Sequence, residues 1–238
     1  MLSDKNIYDE LGKNIFIYPK DHLQVKGNSI DFSASEFAWT YEKDKDGNYA
    51  GRNICDGDII SIPPYTTAYI VTNECVYVTG KIGGTYHSKI GILKKGLSSI
   101  STTLDPYYIG QSLIIIYNQS DGTIDIRKNE PIVSLMFYYL SKPTKKDRIN
   151  ANPAHNDFIS KLDASGKYQS YLEKNKWAKV HYEIEKIYKD RENPFYLDDF
   201  HKEVKRRKWL NILKRSYRYA IGFAFAVIII TYLSIVPG

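Results

Sequence analysis

Few side chains in this sequence could move a proton or hold a reactive group at a fixed point. His181-Tyr182-Glu183 has the His-x-Glu spacing of zinc-dependent base deamination, in which histidine ligates the metal and glutamate shuttles the proton. That chemistry also needs a Cys-x-x-Cys pair. The chain's two cysteines, Cys55 and Cys75, form none. They read instead as idle thiols in a reducing compartment. His87 stands beside Ser88, but no acid that would orient the imidazole can be identified. There is no Walker A loop, no GxGxxG after a strand and no Ser-His-Asp pattern. Any chemistry must therefore come from carboxylates and lysines placed by the fold.

The elements that would place them are mostly strands. With 43% hydrophobic and 25% charged residues over 238 positions, the chain can bury a core. Ile7 and Leu11 lie at helical spacing, with Asp4 as the expected N-cap. From Ser29 to Leu140 the texture is short apolar runs: Ile30–Ala34, Ile59–Ile62, Ala68–Thr72, Val76–Thr79, Leu113–Tyr117, Thr123–Ile126 and Ile132–Leu140. Asp46-Gly47, Gly83-Gly84 and Asp121-Gly122 read as turns between them. The expected fold class is mainly β, a barrel or jelly-roll-like head at 1–145. Residues 146–192 read as linker and tail. Trp177, Val180, Ile184, Ile187 and Tyr188 there place one apolar stripe on a helix. The stripe fits packing on the head or on a copy of itself, or a docking surface for another protein.

Charge and hydropathy separate the C-terminal part. The formal net charge is +6, but Lys202–Arg218 alone carries +7 and the remainder −1. The basic character is therefore local, and nucleic acid is not an expected partner of the head. Residues 193–218 read as a basic juxtamembrane helix. From Tyr219 to Val236 no residue is charged. At about 1.5 Å per residue that stretch reaches about 27 Å, close to the hydrocarbon thickness of a bilayer. The lipid bilayer is thus an expected partner, through one transmembrane helix at 219–236. Arg206, Arg207, Lys208, Lys214, Arg215 and Arg218 sit before it and predict a cytoplasmic head in a single-pass, tail-anchored protein. The same cluster would suit anionic headgroups.

Several motifs then occur in a telling order. Leu104-Asp105-Pro106, Tyr108 and Gly110 form a turn before a strand that ends at Tyr117-Asn118. Pro131-Ile132-Val133-Ser134-Leu135-Met136-Phe137 is a later strand. Asn28-Ser29-Ile30-Asp31 lies near the start and Gly166-Lys167-Tyr168-Gln169 near 170. Together they resemble the dCTP deaminase/dUTPase superfamily, and the opening Ser3–Ile7 and Ile17-Tyr18-Pro19 is arranged more like dCTP deaminases. The resemblance covers about residues 1–170. It implies a homotrimer with a pyrimidine deoxynucleoside triphosphate between subunits and Mg²⁺ on the phosphates. No cofactor of the protein's own is expected.

The same resemblance locates what is missing. The deaminase glutamate that shuttles the proton falls on Ile115, inside the run Ile114-Ile115-Ile116. An isoleucine cannot transfer a proton. The phosphate motif, aligned on Gly96-Leu97, falls on Lys89, Ile90, Gly91, Ile92 and Lys94. A lysine can hold phosphate as a point charge but lacks arginine's bidentate fork. The motif glutamine falls on Ser134. The turn glycine falls on Tyr107, which implies a different backbone if that glycine used positive φ. Asp105 remains, with three open roles: shaping the turn, contacting nucleotide, or orienting a water. Tyr108 would stack on a deoxyribose or pack in the core, and Asp31 reads as structural. The implied nucleotide contacts are therefore Lys89, Lys94, Asp105, Tyr108, Lys167 and Tyr168. No catalytic residue is expected, Asp105 being the weak candidate. The leading expectation is a membrane-tethered, catalytically inactive relative acting as nucleotide sensor or assembly module. The alternatives are an active membrane-bound dUTP pyrophosphatase or dCTP deaminase, and a structural protein that keeps only its trimer interface.

Overall fold

The computed structural model describes residues 1–18, 23–43, 46–99, 102–144 and 156–174. The stripe from Trp177, the basic cluster Arg206–Arg218 and the apolar stretch 219–236 lie outside the described residues. Among the described residues no helix is long and apolar enough to cross a membrane.

The described chain is mainly β. It runs α1 (Asp4–Glu10), β1 (Ile15–Tyr18), β2 (Ser29–Lys43), β3 (Tyr49–Asn53), β4 (Cys55–Asp56), β5 (Ile59–Ile62) and β6 (Thr67–Val78). It continues through β7 (Ile82–Ser88), α2 (Ile90–Leu93), β8 (Leu97–Ser99), β9 (Thr103–Leu104), β10 (Ile109–Asn118), β11 (Ile124–Arg127) and β12 (Pro131–Tyr139). Two helices follow, α3 (Asn156–Leu162) and α4 (Lys167–Lys174). The main sheet has the order β8-β10-β6-β2-β12-β7-β9, with β1 added to β6 and β3 to β2. A small sheet has the order β11-β5-β4.

The long strands bend at irregularities in their pairing, between Ala34 and Ala38, Gln111 and Leu113, and Pro131 and Val133. An extra residue on one strand sharpens twist and turns the sheet. The sheet thereby curls until β7 meets β8 and β10. Ser88 and Ser99 hydroxyls lie 2.6 Å apart, and Tyr86 hydrogen-bonds Ser112 across the interior. Phe32 meets Tyr86 edge to face at 5.8 Å. Phe32, Phe137, Ile30, Ile70 and Ile82 are fully buried. Each such side chain contributes about 1.5–3 kcal/mol relative to exposure.

Local chemistry explains where the expectations shift. α1 begins one residue earlier than Asp4 implied, because Ser3 and Asn6 form a reciprocal capping box. Ala68–Thr72 and Val76–Val78 belong to one strand, β6, and between them the Thr72 hydroxyl donates to the Glu74 carbonyl at 2.9 Å. Gly83-Gly84 is not a turn: both lie inside β7. A Cβ on Gly84 would stand 2.8 Å from the Met136 carbonyl oxygen, so glycine there permits close strand approach. Gly47, with φ +84°, does turn the chain from β2 to β3. Asn118 is fully buried at the end of β10, its amide nitrogen donating to the carbonyls of Ile62, Pro63 and Gly122 at 3.0, 3.0 and 2.8 Å.

Beyond residue 145, α3 and α4 pack on the strands of the head. Ile159, Leu162 and Tyr168 from α3 and α4 pack against Phe37, Trp39 and Val71 on β2 and β6. Phe158 meets Tyr41 and Tyr69 at 5.5 and 5.2 Å. The fit is close enough that a Cβ on Gly51 of β3 would stand 1.9 Å from the Leu162 carbonyl oxygen.

Candidate functional site

Cross-strand register gathers polar residues that are far apart in sequence. Asp31 on β2 stands opposite Ser134 on β12, and Ser134 opposite His87 on β7. Two residues along β7 on the same face, Thr85 stands opposite Thr103 on β9, and its hydroxyl lies 2.9 Å from His87 Nε2. Directly opposed residues share a face of the sheet. The row therefore runs across four strands, and Asp105 follows β9 at its end.

Asp31 is the centre of the row. It is buried, and its Oδ1 accepts from the Ser134 hydroxyl at 2.7 Å. Its Oδ2 takes no well-aligned hydrogen bond and is compensated by charge instead. The Lys26 ammonium lies 2.5 Å away and that of Lys89 2.7 Å away. Burial disfavours the charged carboxylate. The two ammonium groups and the Ser134 hydroxyl outweigh it and hold the pKa below the usual carboxylate range. For Lys89, burial first and then the nearby Lys26 charge lower the pKa, against the pull of Asp31. Lys26 is raised, chiefly by its bond to Asp31. Two cations on one anion leave a local excess of one positive charge, suited to an incoming anion.

The structure thus brings Asp31, Lys89 and Ser134 together, and adds Lys26. Nothing in the spacing of the sequence marked Lys26, which arrives from the segment before β2. Lys94 is exposed and forms no ion pair among the described residues. Asp105 is exposed, with Oδ1 accepting from the Thr103 hydroxyl at 3.3 Å. Tyr108 is half-buried and donates to the Gln111 carbonyl at 2.6 Å. Ile115 is 45% exposed on the outer face of β10, and Ile90 is 66% exposed on α2. Tyr107 corrects an expectation: it keeps φ +62°, so the backbone is the one a glycine would adopt. Its N–H donates to the Val78 carbonyl and its hydroxyl to that of Thr144.

The tail pair divides. Tyr168 is 3% exposed among Phe37, Trp39 and Tyr171, and its hydroxyl donates to the Gln111 side-chain oxygen at 3.0 Å. An aromatic flanked by apolar partners on β2 and α4 is held as core. Lys167, next to it, is exposed and lines a groove beside α4. Among the described residues no cluster of histidine, cysteine and carboxylate side chains could hold a metal ion.

No family model matches the chain. It is similar to the dCTP deaminase of Thermococcus kodakarensis, 24% identical over 136 residues, covering 57% of this chain and 83% of that protein. The dCTP deaminase of Ignicoccus hospitalis is 25% identical over 158 residues, covering 62% and 87%. This sequence similarity supports a place in the dCTP deaminase/dUTPase superfamily. Among solved structures, the 2'-deoxycytidine 5'-triphosphate deaminase from Agrobacterium tumefaciens aligns with a TM-score of 0.47 at 12% identity. That alignment covers 61% of this chain and half of the Agrobacterium protein. The Staphylococcus bacteriophage 80alpha dUTPase with dUPNHPP aligns with a TM-score of 0.40 at 15% identity, over 56% and 87% of the two chains.

Proposed function

We propose that the head binds a pyrimidine deoxynucleotide without transforming it, and that residues 219–236 tether it to a membrane with the head in the cytoplasm. The observation that carries the reading is Ile115. It occupies the position where the resemblance places the deaminase glutamate, and its side chain reaches the surface of β10. A hydrocarbon there can line a base pocket but cannot shuttle a proton to C4 of cytosine. The Asp31–Lys89–Lys26 cluster supports anion binding, since Lys89 can turn from its carboxylate to a phosphate. Mg²⁺ would accompany a bound triphosphate.

In this reading the head assembles as a homotrimer, as the resemblance implies. Ligand between subunits would then alter the packing of three membrane helices, by as much as its affinity differs between the two arrangements. The basic residues Arg206, Arg207, Lys208, Lys214, Arg215 and Arg218 would hold the cytoplasmic boundary. Calorimetry on the purified full chain in detergent tests binding: dCTP or dUTP binds, and Lys89→Ala weakens it. Absence of binding by any deoxynucleoside triphosphate removes the sensor reading. Carbonate-resistant membrane association that is lost when 219–236 are deleted tests the tether.

A second reading is an active dUTP pyrophosphatase or dCTP deaminase. It is favoured by Asp105, whose carboxylate is exposed at the end of the polar row and could orient a water. Product release that Asp105→Asn abolishes would establish it.

A further inference from the structure

His87 stands in the polar row beside the Asp31 cluster. On β7 it lies opposite Ser134 of β12, whose other cross-strand neighbour is Asp31 of β2. Opposed residues share a face and lie about 4.5–5.5 Å apart per strand. The ring is therefore two strands from the buried carboxylate. Lys89 follows His87 by two residues and reaches that same carboxylate at 2.7 Å. The imidazole is exposed, and its Nε2 lies 2.9 Å from the Thr85 hydroxyl. The ring makes no other hydrogen bond among the described residues, so Nδ1 is open to an incoming acceptor.

The charges around the ring come from every neighbouring element. β2 brings Asp31, the segment before it Lys26, and the chain after β7 Lys89. β12 brings the neutral Ser134. On the other side β9 brings Thr103, with Asp105 bonded to it. Two carboxylates thus stand against two ammonium groups, and a phosphate seated at Lys89 would tip the balance around the ring to negative. Imidazole changes charge between pH 5 and 8, and a negative neighbour favours its protonated form. That form donates from both ring nitrogens.

We propose that His87 is a further contact for the anion at Lys89 and takes up a proton when that anion binds. The inference rests on the anion site of the proposed function and adds its regulation: affinity rises as pH falls from 8 to 6. A group that binds its proton more tightly in the complex than in the free protein gives this sign. Asp31 does not give it, since its pKa is held below the usual carboxylate range and it stays ionised throughout.

Calorimetry on the full chain in detergent, with dCTP and dUTP at pH 6, 7 and 8, tests the proposal. The terminal phosphate of the nucleotide titrates in the same range. The quantity read is therefore the ratio of native to His87→Gln affinity, in which that effect cancels. The ratio should rise about fivefold or more from pH 8 to pH 6. His87→Lys, which fixes a positive charge at the exposed position, should bind more tightly than the native chain at pH 8. The guanidinium of Lys89→Arg stays charged throughout, so the same rise should remain between Lys89→Arg and Lys89→Arg/His87→Gln. A rise that vanishes in the arginine background would assign the proton to Lys89 and overturn the proposal. A ratio that stays level from pH 8 to pH 6 would overturn it and leave the anion site standing. No binding of either nucleotide at any pH would overturn the site itself, and this inference with it.

Discussion

Lys89 and Asp31 meet at 2.7 Å although 58 positions separate them, and Asp31 is 3% exposed where they meet. The contact makes one carboxylate the organiser of two lysines. Removing it would leave Lys89 partly buried without its counter-charge. Full burial of an orphaned charge costs about 3–5 kcal/mol, and the solvent access of both lysines reduces this to about 1–3 kcal/mol. Asp31→Asn should lower stability by that amount in urea denaturation at pH 7. The pH dependence follows from the sign of the shift. The folded pKa of Asp31 lies below its unfolded value, so its contribution is complete above the unfolded value near pH 4. It is lost as pH falls through the lower folded value. The stability gap between the native chain and Asp31→Asn should stay level from pH 7 to about pH 5 and narrow below about pH 4. A gap that persists unchanged to pH 2 would mean the pairing is not electrostatic.

Gly51 sets the seating of α3. With a Cβ there 1.9 Å from the Leu162 carbonyl oxygen, Gly51→Ala must displace backbone rather than a side-chain tip. The expected loss is about 2 kcal/mol or more, with faster proteolysis within 156–174. Unaltered proteolysis would show that the helices do not depend on this contact.

Tyr107 adopts φ +62°. A non-glycine residue in that region carries about 1–2 kcal/mol of strain. Tyr107→Gly relieves the strain while losing the bond to the Thr144 carbonyl; Tyr107→Ala loses the bond and keeps the strain. The glycine variant should therefore be more stable than the alanine variant by about 1 kcal/mol. The reverse order in thermal denaturation would refute the assignment.

The thiols should differ in reactivity. Burial pushes the Cys75 pKa up to about 12, whereas Cys55 is half-buried with its pKa raised, chiefly by partial burial. The thiolate is the reactive form. A thiol reagent at pH 8 should modify Cys55 first and Cys75 only on unfolding, read by mass spectrometry of the peptides.

Strands built on apolar runs or on apolar-polar alternation were legible in the sequence. Ile59–Ile62 is β5 over that range, and Ile30–Ala34 and Leu113–Tyr117 are the cores of β2 and β10. What misled was glycine inside a strand. Gly83-Gly84 carries a turn signature, and only the opposing Met136 carbonyl shows why glycine belongs there. β3, with Tyr49, Ala50 and Arg52 around Gly51, has no apolar alternation because α3 covers only part of it. In the site, Asp31, Ser134 and Lys89 could be aligned to motifs, but their mutual bonding needed cross-strand register. Lys26 carried no motif. The burial of Tyr168 was not legible either, because its short tail signature carries no trace of the Phe37 and Trp39 rings it packs on.

The central claim is that the head holds a nucleotide and leaves it intact, and turnover measured alongside binding tests it most directly. The full chain in detergent, with Mg²⁺ and saturating dCTP or dUTP, should bind ligand by calorimetry. It should yield no deaminated nucleotide and no pyrophosphate above a protein-free control. Product that accumulates with time and disappears in Asp105→Asn would contradict the account.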